Sequence, residues 1–136
     1  MTRRFYVAAS LAQAALARQV ADALKARGWV HTHDWTTHEH IDKPGTAVPG
    51  SLRRASMDDI RGVETADVVI CLMPGGRGTY CELGAAIALS KRIFVVAQTE
   101  AALMEGYTYW TAFFDHPRVR LVVHPDILNF LSLLPE

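Results

Sequence analysis

The sequence predicts an α/β fold in which helices cover both faces of a parallel β-sheet, and three observations indicate it. Residues 68–73, Val-Val-Ile-Cys-Leu-Met, form an unbroken apolar run that is typical of a strand buried on both faces. A glycine-rich segment and then a helical pattern follow this run directly. Other short apolar runs alternate with helical patterns along the chain, as expected of strands joined by helical crossovers.

The predicted elements follow one another in a regular order. We expect strands at residues 5–9, 29–35, 67–73, 92–97 and 119–123. We expect helices after Ser10 as far as residue 27, and then at residues 51–63, 79–90, 99–105 and 126–134. Ser10 is a candidate cap for the first helix, and Gly28 closes it. We expect residues 36–50 to be a polar loop, long enough in so small a domain to suggest a lid or binding loop.

These elements favour one domain spanning residues 1–136, with a five-stranded parallel sheet in the flavodoxin-like order 2-1-3-4-5. The architecture is therefore a Rossmann-like three-layer α/β/α sandwich. In that order the first switch point lies between strands one and three, where open α/β sheets bind their ligands. Residues 6–10 should then face residues 75–82 across a cleft.

Composition excludes several classes of partner. The chain has 14 Lys and Arg residues and 14 Asp and Glu residues, so it lacks the excess of basic residues that is typical of proteins that bind a nucleic-acid polymer. No apolar run has the length of a membrane span. Residues 1–4 lead straight into the first strand, which argues against a signal peptide, and the buried position predicted for Cys71 suits a reduced thiol. We expect a cytoplasmic protein that binds a small molecule.

The histidines do not form a metal-binding pattern. His31 and His33 fall on one face of a predicted strand, whereas His38 and His40 fall in a loop. No Cys or Glu-x-x-His pattern accompanies them. We therefore expect neither a metal nor a cofactor.

The glycine-rich segment after the third strand is the best candidate for a ligand site. Gly75, Gly76 and Gly78 allow a tight loop whose backbone approaches a ligand closely. The amides and dipole of the following helix add an anion-binding end, and that helix is predicted to begin at Thr79. Glu82 would lie in its first turn, at the rim of the loop. From the residues alone, Glu82 is read equally well as a helix stabiliser worth about 0.3–1 kcal/mol.

Residues 74–84, Pro-Gly-Gly-Arg-Gly-Thr-Tyr-Cys-Glu-Leu-Gly, resemble the Glu-Leu-Gly block of the nucleoside 2-deoxyribosyltransferase family, which includes deoxynucleoside 5′-monophosphate N-glycosidases. They are also similar to the Pro-Gly-Gly-x-Gly-Thr-x-x-Glu signature of the "lonely guy" phosphoribohydrolases. This chain is shorter than that second family and lacks its glycine-rich loop after the first strand. The first resemblance implies cleavage or transfer of an N-glycosidic bond, with Glu82 as a nucleophile and retention at C1′.

The same resemblance implies two further catalytic residues. Residues 59–63, Asp-Ile-Arg-Gly-Val, resemble the family's Asp-Leu-x-Gly-Ile segment, whose aspartate donates or accepts a proton near the base. That role falls to Asp59. Tyr6 matches a tyrosine at the end of the first strand that holds the catalytic glutamate by a hydrogen bond. From the residues alone, Asp58 and Asp59 fit helix-surface acids, and Tyr6 fits a core residue with its hydroxyl at the rim.

The resemblance also implies contacts to the base and between subunits. Residues 34–38 resemble the base-contacting segment, so Asp34, Trp35 and His38 are candidate substrate contacts, with Trp35 stacking on the base. His116 stands where an amide completes a neighbouring subunit's site in the deoxyribosyltransferases. The aromatic side chains before it belong either to the core or to an oligomer face; they are Tyr109, Trp110, Phe113 and Phe114. We expect a homodimer or higher homo-oligomer.

One departure from the family pattern predicts the substrate. Nucleoside-level transferases carry an aspartate six residues before the nucleophile, where it accepts from the sugar 5′-hydroxyl, whereas this chain has Gly76 there, beside Arg77. The substrate class that we expect is a nucleoside or a nucleoside 5′-monophosphate, and this departure predicts the 5′-phosphate. Its expected ligands are Gly75, Gly76, Arg77, Gly78, Thr79 and Ser10. One absence argues against the 5′-phosphate: the loop after the first strand keeps the serine but lacks the arginine of the Gly-Ser-Ile-Arg-Gly-like loop of the family's monophosphate glycosidases. The alternatives are a nucleotide sensor without turnover and a lonely-guy-type phosphoribohydrolase.

Overall fold

The computed structural model describes residues 2–37 and 50–135. Its strands are β1 (Arg4–Ala8), β2 (Val30–His31), β3 (Val68–Met73), β4 (Arg92–Ala97) and β5 (Val119–Val123). Its α-helices are α1 (Ala14–Ala26), α2 (Ser51–Thr65), α3 (Arg77–Ala88), α4 (Ala101–Met104) and α5 (Ile127–Ser132). Short 3₁₀ turns occur at Leu11–Gln13, Trp35–Thr37 and Ala112–Asp115. Among the described residues, no helix combines the length and the apolar character needed to cross a bilayer.

The five strands form one parallel sheet in the order β2-β1-β3-β4-β5, which confirms the predicted architecture. All six residues of β3 are buried, because this central strand has a neighbour on each side and helices above and below it. Helix α1 packs against α5, and α2 packs against α3. The core therefore lies on both faces of the sheet, and β1 and β3 are adjacent as the ligand-binding edge requires.

The second strand is shorter than the predicted range of 29–35. The ladder extends one bond beyond β2, with the Thr32 amide donating to the Phe5 carbonyl at 2.9 Å. The chain then turns, because the Asp34 carboxylate accepts from the Thr36 amide at 2.9 Å. Such a local turn competes with the ladder and takes the chain out of the sheet. Trp35 consequently begins a 3₁₀ turn instead of ending a strand.

Helix α3 begins at Arg77, two residues before the predicted start. The Thr79 hydroxyl accepts from the Gly76 amide at 3.0 Å and closes the turn in which the helix starts. Glu82 therefore lies in the second turn of α3 and not in the first. Helix α1 is followed by Gly28 (φ 87°), which terminates it as predicted. The side chain of Ser10, the predicted cap of this helix, makes no capping hydrogen bond.

Candidate active site

A cavity of about 330 Å³ lies at the carboxyl ends of β1 and β3. Its walls come from the segment after β1, the turn after β2, helix α2 and the first turns of α3. The lining residues are Ala9, Ser10, Leu11, Trp35, Asp59, Gly76, Arg77, Gly78, Thr79 and Glu82. The segments that follow strands one and three thus face each other across a cleft, as the topology predicts.

A buried carboxylate and a buried phenol meet behind this cavity. The Tyr6 hydroxyl donates to Glu82 Oε2 at 3.1 Å. Tyr6 is fully buried in β1, and the Glu82 side chain, which lines the cavity, is only 8 % exposed. The expectation that Glu82 lies at the rim of a loop is therefore wrong, because its place in the second turn of α3 sets it over β1. The hydrogen bond fixes one carboxylate oxygen and leaves the group facing the cavity.

The pKa of the Glu82 carboxyl is shifted towards neutral pH. Burial and the nearby Asp59 carboxylate raise the pKa of Glu82 to about 8, against the opposing effect of the Tyr6 hydrogen bond. Burial and the same two carboxylates raise the pKa of Tyr6, so its phenol remains a hydrogen-bond donor. A carboxyl group whose pKa lies near neutrality in a cleft is typical of a functional site.

Asp59 reaches the cavity from α2, where it pairs with a histidine of the segment after β2. His33 Nε2 lies 3.4 Å from Asp59 Oδ1, and each side chain is 23 % exposed. Gly62 permits this approach, since a Cβ there would lie 2.7 Å from Tyr6 Cδ1 and 3.0 Å from His33 Cβ. From the sequence, His33 is a candidate only for a metal site, because no local pattern links it to a residue of α2.

The amino end of α3 lines the same cavity. The first intrahelical bond runs from the Tyr80 amide to the Gly76 carbonyl at 3.3 Å. The amides of Arg77, Gly78 and Thr79 precede it and point out of the helix end, as the first amides of a helix do. Since all three residues line the cavity, this wall combines amide donors and the positive end of the helix dipole with one arginine residue.

The predicted base-contacting residues separate in the structure. Trp35 lines the cavity and is anchored by its Nε1, which donates to the Val7 carbonyl at 2.7 Å. Asp34 instead holds the turn after β2. Burial alone would raise the pKa of Asp34, but hydrogen bonds from Thr36 outweigh this effect and bring the pKa below its ordinary value. His38 lies outside the described residues.

The predicted intersubunit segment also divides into two parts. Phe114 is buried in the core, whereas Tyr109 and Phe113 are each 60 % exposed. His116 follows them, does not line the cavity, and accepts from the Arg118 amide at 3.1 Å through Nδ1.

Over residues 2–37 and 50–135, no three His, Cys, Asp or Glu side chains come together as a metal site.

The family model for nucleoside 2-deoxyribosyltransferase matches residues 5–119 of this sequence. The chain belongs to the nucleoside 2-deoxyribosyltransferase family. The matched span contains Tyr6, Asp59 and Glu82. Among solved structures, the chain resembles the Clostridium botulinum CMP N-glycosidase BcmB, with a TM-score of 0.63 and 19% identity over 97% of this chain and 100% of that chain. This likeness shows a shared fold. No curated protein sequence matches the chain.

Proposed function

We propose that this protein cleaves or transfers the N-glycosidic bond of a nucleoside 5′-monophosphate, with Glu82 as the nucleophile. The observation that carries the proposal is the buried Glu82 carboxylate, held by Tyr6 at a cavity that the amino end of α3 also lines. Membership of the deoxyribosyltransferase family supports the bond that is broken. The name of BcmB, a CMP N-glycosidase, supports a nucleotide as the substrate class.

Cleavage of the N-glycosidic bond requires stabilisation of the positive charge on the sugar and of the negative charge on the departing base. As the C1′–N bond breaks, its electron pair passes to the base nitrogen and positive charge develops at C1′. A Glu82 oxygen bonds to C1′, and Asp59 delivers a proton to the departing base. Water or a second base then gives a proton to Asp59 and attacks C1′, and the bond between C1′ and the Glu82 oxygen breaks. Two displacements at the same carbon give retention of configuration.

The electrostatic coupling of the two acids suits this division of roles. Because the Asp59 charge raises the pKa of Glu82, the pair favours a state in which one carboxyl is ionised and the other holds a proton. An ionised Glu82 beside a protonated Asp59 is the reactive form: one group attacks and the other donates. Tyr6 favours this form, since its hydrogen bond stabilises the ionised Glu82.

The proposed 5′-phosphate subsite lies at the amino end of α3. The amides and side chain of Arg77, with the amides of Gly78 and Thr79, supply the donors, and Ser10 faces them from the segment after β1. Gly75 acts through its small size, whereas a side chain at Gly76 would only reach ordinary van der Waals contact. A Cβ at Gly75 would lie 3.0 Å from Thr79, and one at Gly76 would lie 3.4 Å from Ser10 Cβ.

The base is proposed to lie against Trp35, whose indole lines the cavity while its Nε1 is held by the backbone of β1. The turn that Asp34 stabilises sets the position of this ring. His38 follows the same turn, and its contact with the base edge stays a prediction.

A product assay tests the proposed function. Purified protein is incubated with nucleosides and their 5′-monophosphates, and free base is measured by chromatography. We expect base release with preference for the monophosphates, and its loss in Glu82→Gln. Glu64→Gln, at an exposed position of α2, is the matched control. Adding a second free base separates transfer from hydrolysis. Monophosphate binding without base release would favour the sensor, and preference for unphosphorylated nucleosides would contradict the phosphate subsite.

We further propose that the active form is a homo-oligomer in which His116 reaches a neighbouring subunit's cavity. Its support is that Tyr109 and Phe113, which precede His116 in the sequence, are exposed aromatic residues, and that His116 does not line the cavity of its own chain. Light scattering should show a mass above that of one chain. Mixing inactive Glu82→Gln with inactive His116→Ala subunits should restore part of the activity. A monomer with full activity would contradict the proposal.

A further inference from the structure

The loop between β3 and α3, residues 74–76, is fixed by side chains from three parts of the chain. Gln13 Nε2 donates to the Pro74 carbonyl at 3.0 Å. The Gly76 amide donates to the Thr79 hydroxyl at 3.0 Å, and the Gly75 amide donates to Glu105 Oε1 at 2.9 Å. Glu105 stands apart among these groups, because it comes from the end of α4 and does not line the cavity of Glu82.

Both oxygens of the Glu105 carboxylate are used on this loop and the helix that follows it. While Oε1 accepts from the Gly75 amide, Oε2 accepts from the Tyr80 hydroxyl. Gly75 precedes α3 and Tyr80 lies in its first turn, so one carboxylate spans the point at which the helix starts. Hydrogen bonds to a carboxylate acceptor are stronger than those between neutral groups. Two such bonds restrain the orientation of the loop as well as its position.

The backbone of Glu105 supports a specific role for this contact. Its φ is 49°, in the left-handed region that residues with a side chain rarely adopt, and Gly106 follows with φ 85°. A strained conformation of this kind persists where the surrounding structure determines it. Here it ends α4 at Met104 and places the Glu105 carboxylate against the loop.

The contact also decides which amides face a substrate. Since Glu105 occupies the amide of Gly75 and Thr79 occupies that of Gly76, the donors at the cavity wall begin at Arg77. We propose that Glu105 is a positioning residue that fixes the β3–α3 loop and thereby sets the 5′-phosphate subsite at the amino end of α3. This inference rests on the proposed function, and it adds a residue outside the cavity to the machinery that recognises phosphate.

Kinetics with paired substrates test this role. In Glu105→Ala the loop loses both bonds, so the KM for a 5′-monophosphate should rise about tenfold. The kcat and the KM for the matching nucleoside should change by less than about threefold, because the bond between Tyr6 and Glu82 is untouched. Glu105→Gln keeps an oxygen acceptor for the Gly75 amide and should restore most of the affinity. Glu100→Ala is the matched control, since Glu100 begins the same helix without a side-chain capping bond.

A second readout does not depend on turnover. Hydrogen–deuterium exchange in a peptide covering residues 74–80 should accelerate in Glu105→Ala, less in Tyr80→Phe, and little in Glu105→Gln. Unchanged exchange together with an unchanged monophosphate KM would overturn the inference. An equal loss of kcat with both substrates would also overturn it, because a general structural defect gives that result.

The failure of the proposed function can be told apart from the failure of this inference. If the wild type releases no base from any substrate, the proposed function fails, and calorimetric binding of the monophosphate replaces KM. Weaker monophosphate binding by Glu105→Ala with unchanged nucleoside binding would then support the positioning role. Equal monophosphate binding by the two proteins would overturn it.

Discussion

Replacing Glu82 with glutamine should stabilise the fold at alkaline pH while abolishing turnover. The amide oxygen of the new side chain can still accept from the Tyr6 hydroxyl, but the ionisable group is gone. In the wild type, burial and Asp59 raise the pKa of Glu82 from 4.5 to about 8. Between these values the folded protein keeps a proton that the unfolded chain has lost. The free energy of unfolding therefore falls as pH rises from about 4.5 to about 8, and this contribution is constant above that range.

The shift of the pKa sets the size of the effect. The interval between 4.5 and about 8 corresponds to at most about 5 kcal/mol of unfolding free energy. Water that enters the cavity when Glu82 ionises would solvate the carboxylate, so the loss of unfolding free energy should be smaller than this limit. Even about 2 kcal/mol would move Tm by several degrees in a domain of this size. The site would then be one in which a reactive group is kept at the expense of stability.

Urea unfolding of the wild type and the Glu82→Gln variant at several pH values between 5 and 9 measures the effect. The stability difference in favour of the variant should grow with pH and level off above about 8. Glu64→Gln, at an exposed site, should show no such growth. Parallel pH profiles, or a variant less stable than the wild type at pH 9, would refute the reasoning.

Three further outcomes follow from the same geometry. The kcat/KM should fall as pH rises through about 8, because the pair of Glu82 and Asp59 then loses the proton that the base must receive; Tyr6→Phe should move this fall to higher pH, and Asp59→Asn should lower kcat/KM and remove the fall, as measured by pH–rate profiles. Gly62→Ala should cost about 1–3 kcal/mol in denaturant unfolding and lower kcat, because its Cβ would lie 2.7 Å from the Tyr6 ring. Arg77→Ala should raise the KM for a 5′-monophosphate about tenfold and leave nucleoside kinetics unchanged, as measured by base release.

Neighbouring positions supply matched controls for these variants. Asp58→Asn should leave the pH–rate profile in place, since Asp58 does not line the cavity. Gly84→Ala should be tolerated, because a Cβ there meets nothing within 4 Å. Arg53→Ala, on the exposed face of α2, should leave the monophosphate KM unchanged. Identical effects in a variant and its control would contradict the corresponding prediction.

The fold could be predicted from the sequence because its signals are local. The apolar run of β3 and the alternation of strands with helices indicated a parallel sheet, and the ranges of β4 and β5 were predicted as observed. The errors arose where a single side chain decides the backbone. The Asp34 carboxylate turns the chain after β2, and the Thr79 hydroxyl starts α3 early. Neither hydrogen bond changes the hydrophobic pattern from which the boundaries were predicted.

The site could be predicted in part. Tyr6 and Glu82 were expected to meet because of the family resemblance and the order of the strands, and they do. The burial of Glu82 was missed, because it depends on where α3 starts. The contact of His33 with Asp59 and that of Glu105 with Gly75 join residues far apart in sequence. No periodicity or spacing encodes such pairs, so they become visible only when the elements are packed together.

Capture of the covalent intermediate tests the central claim most directly. The wild type is mixed with a nucleoside 5′-monophosphate, quenched in acid within the first turnovers, digested and analysed by mass spectrometry. We predict that the peptide containing Glu82 gains the mass of a sugar 5-phosphate, and that the Glu82→Gln protein forms no adduct and releases no base. Base release by Glu82→Gln at the wild-type rate, or an adduct on a different residue, would contradict the claim.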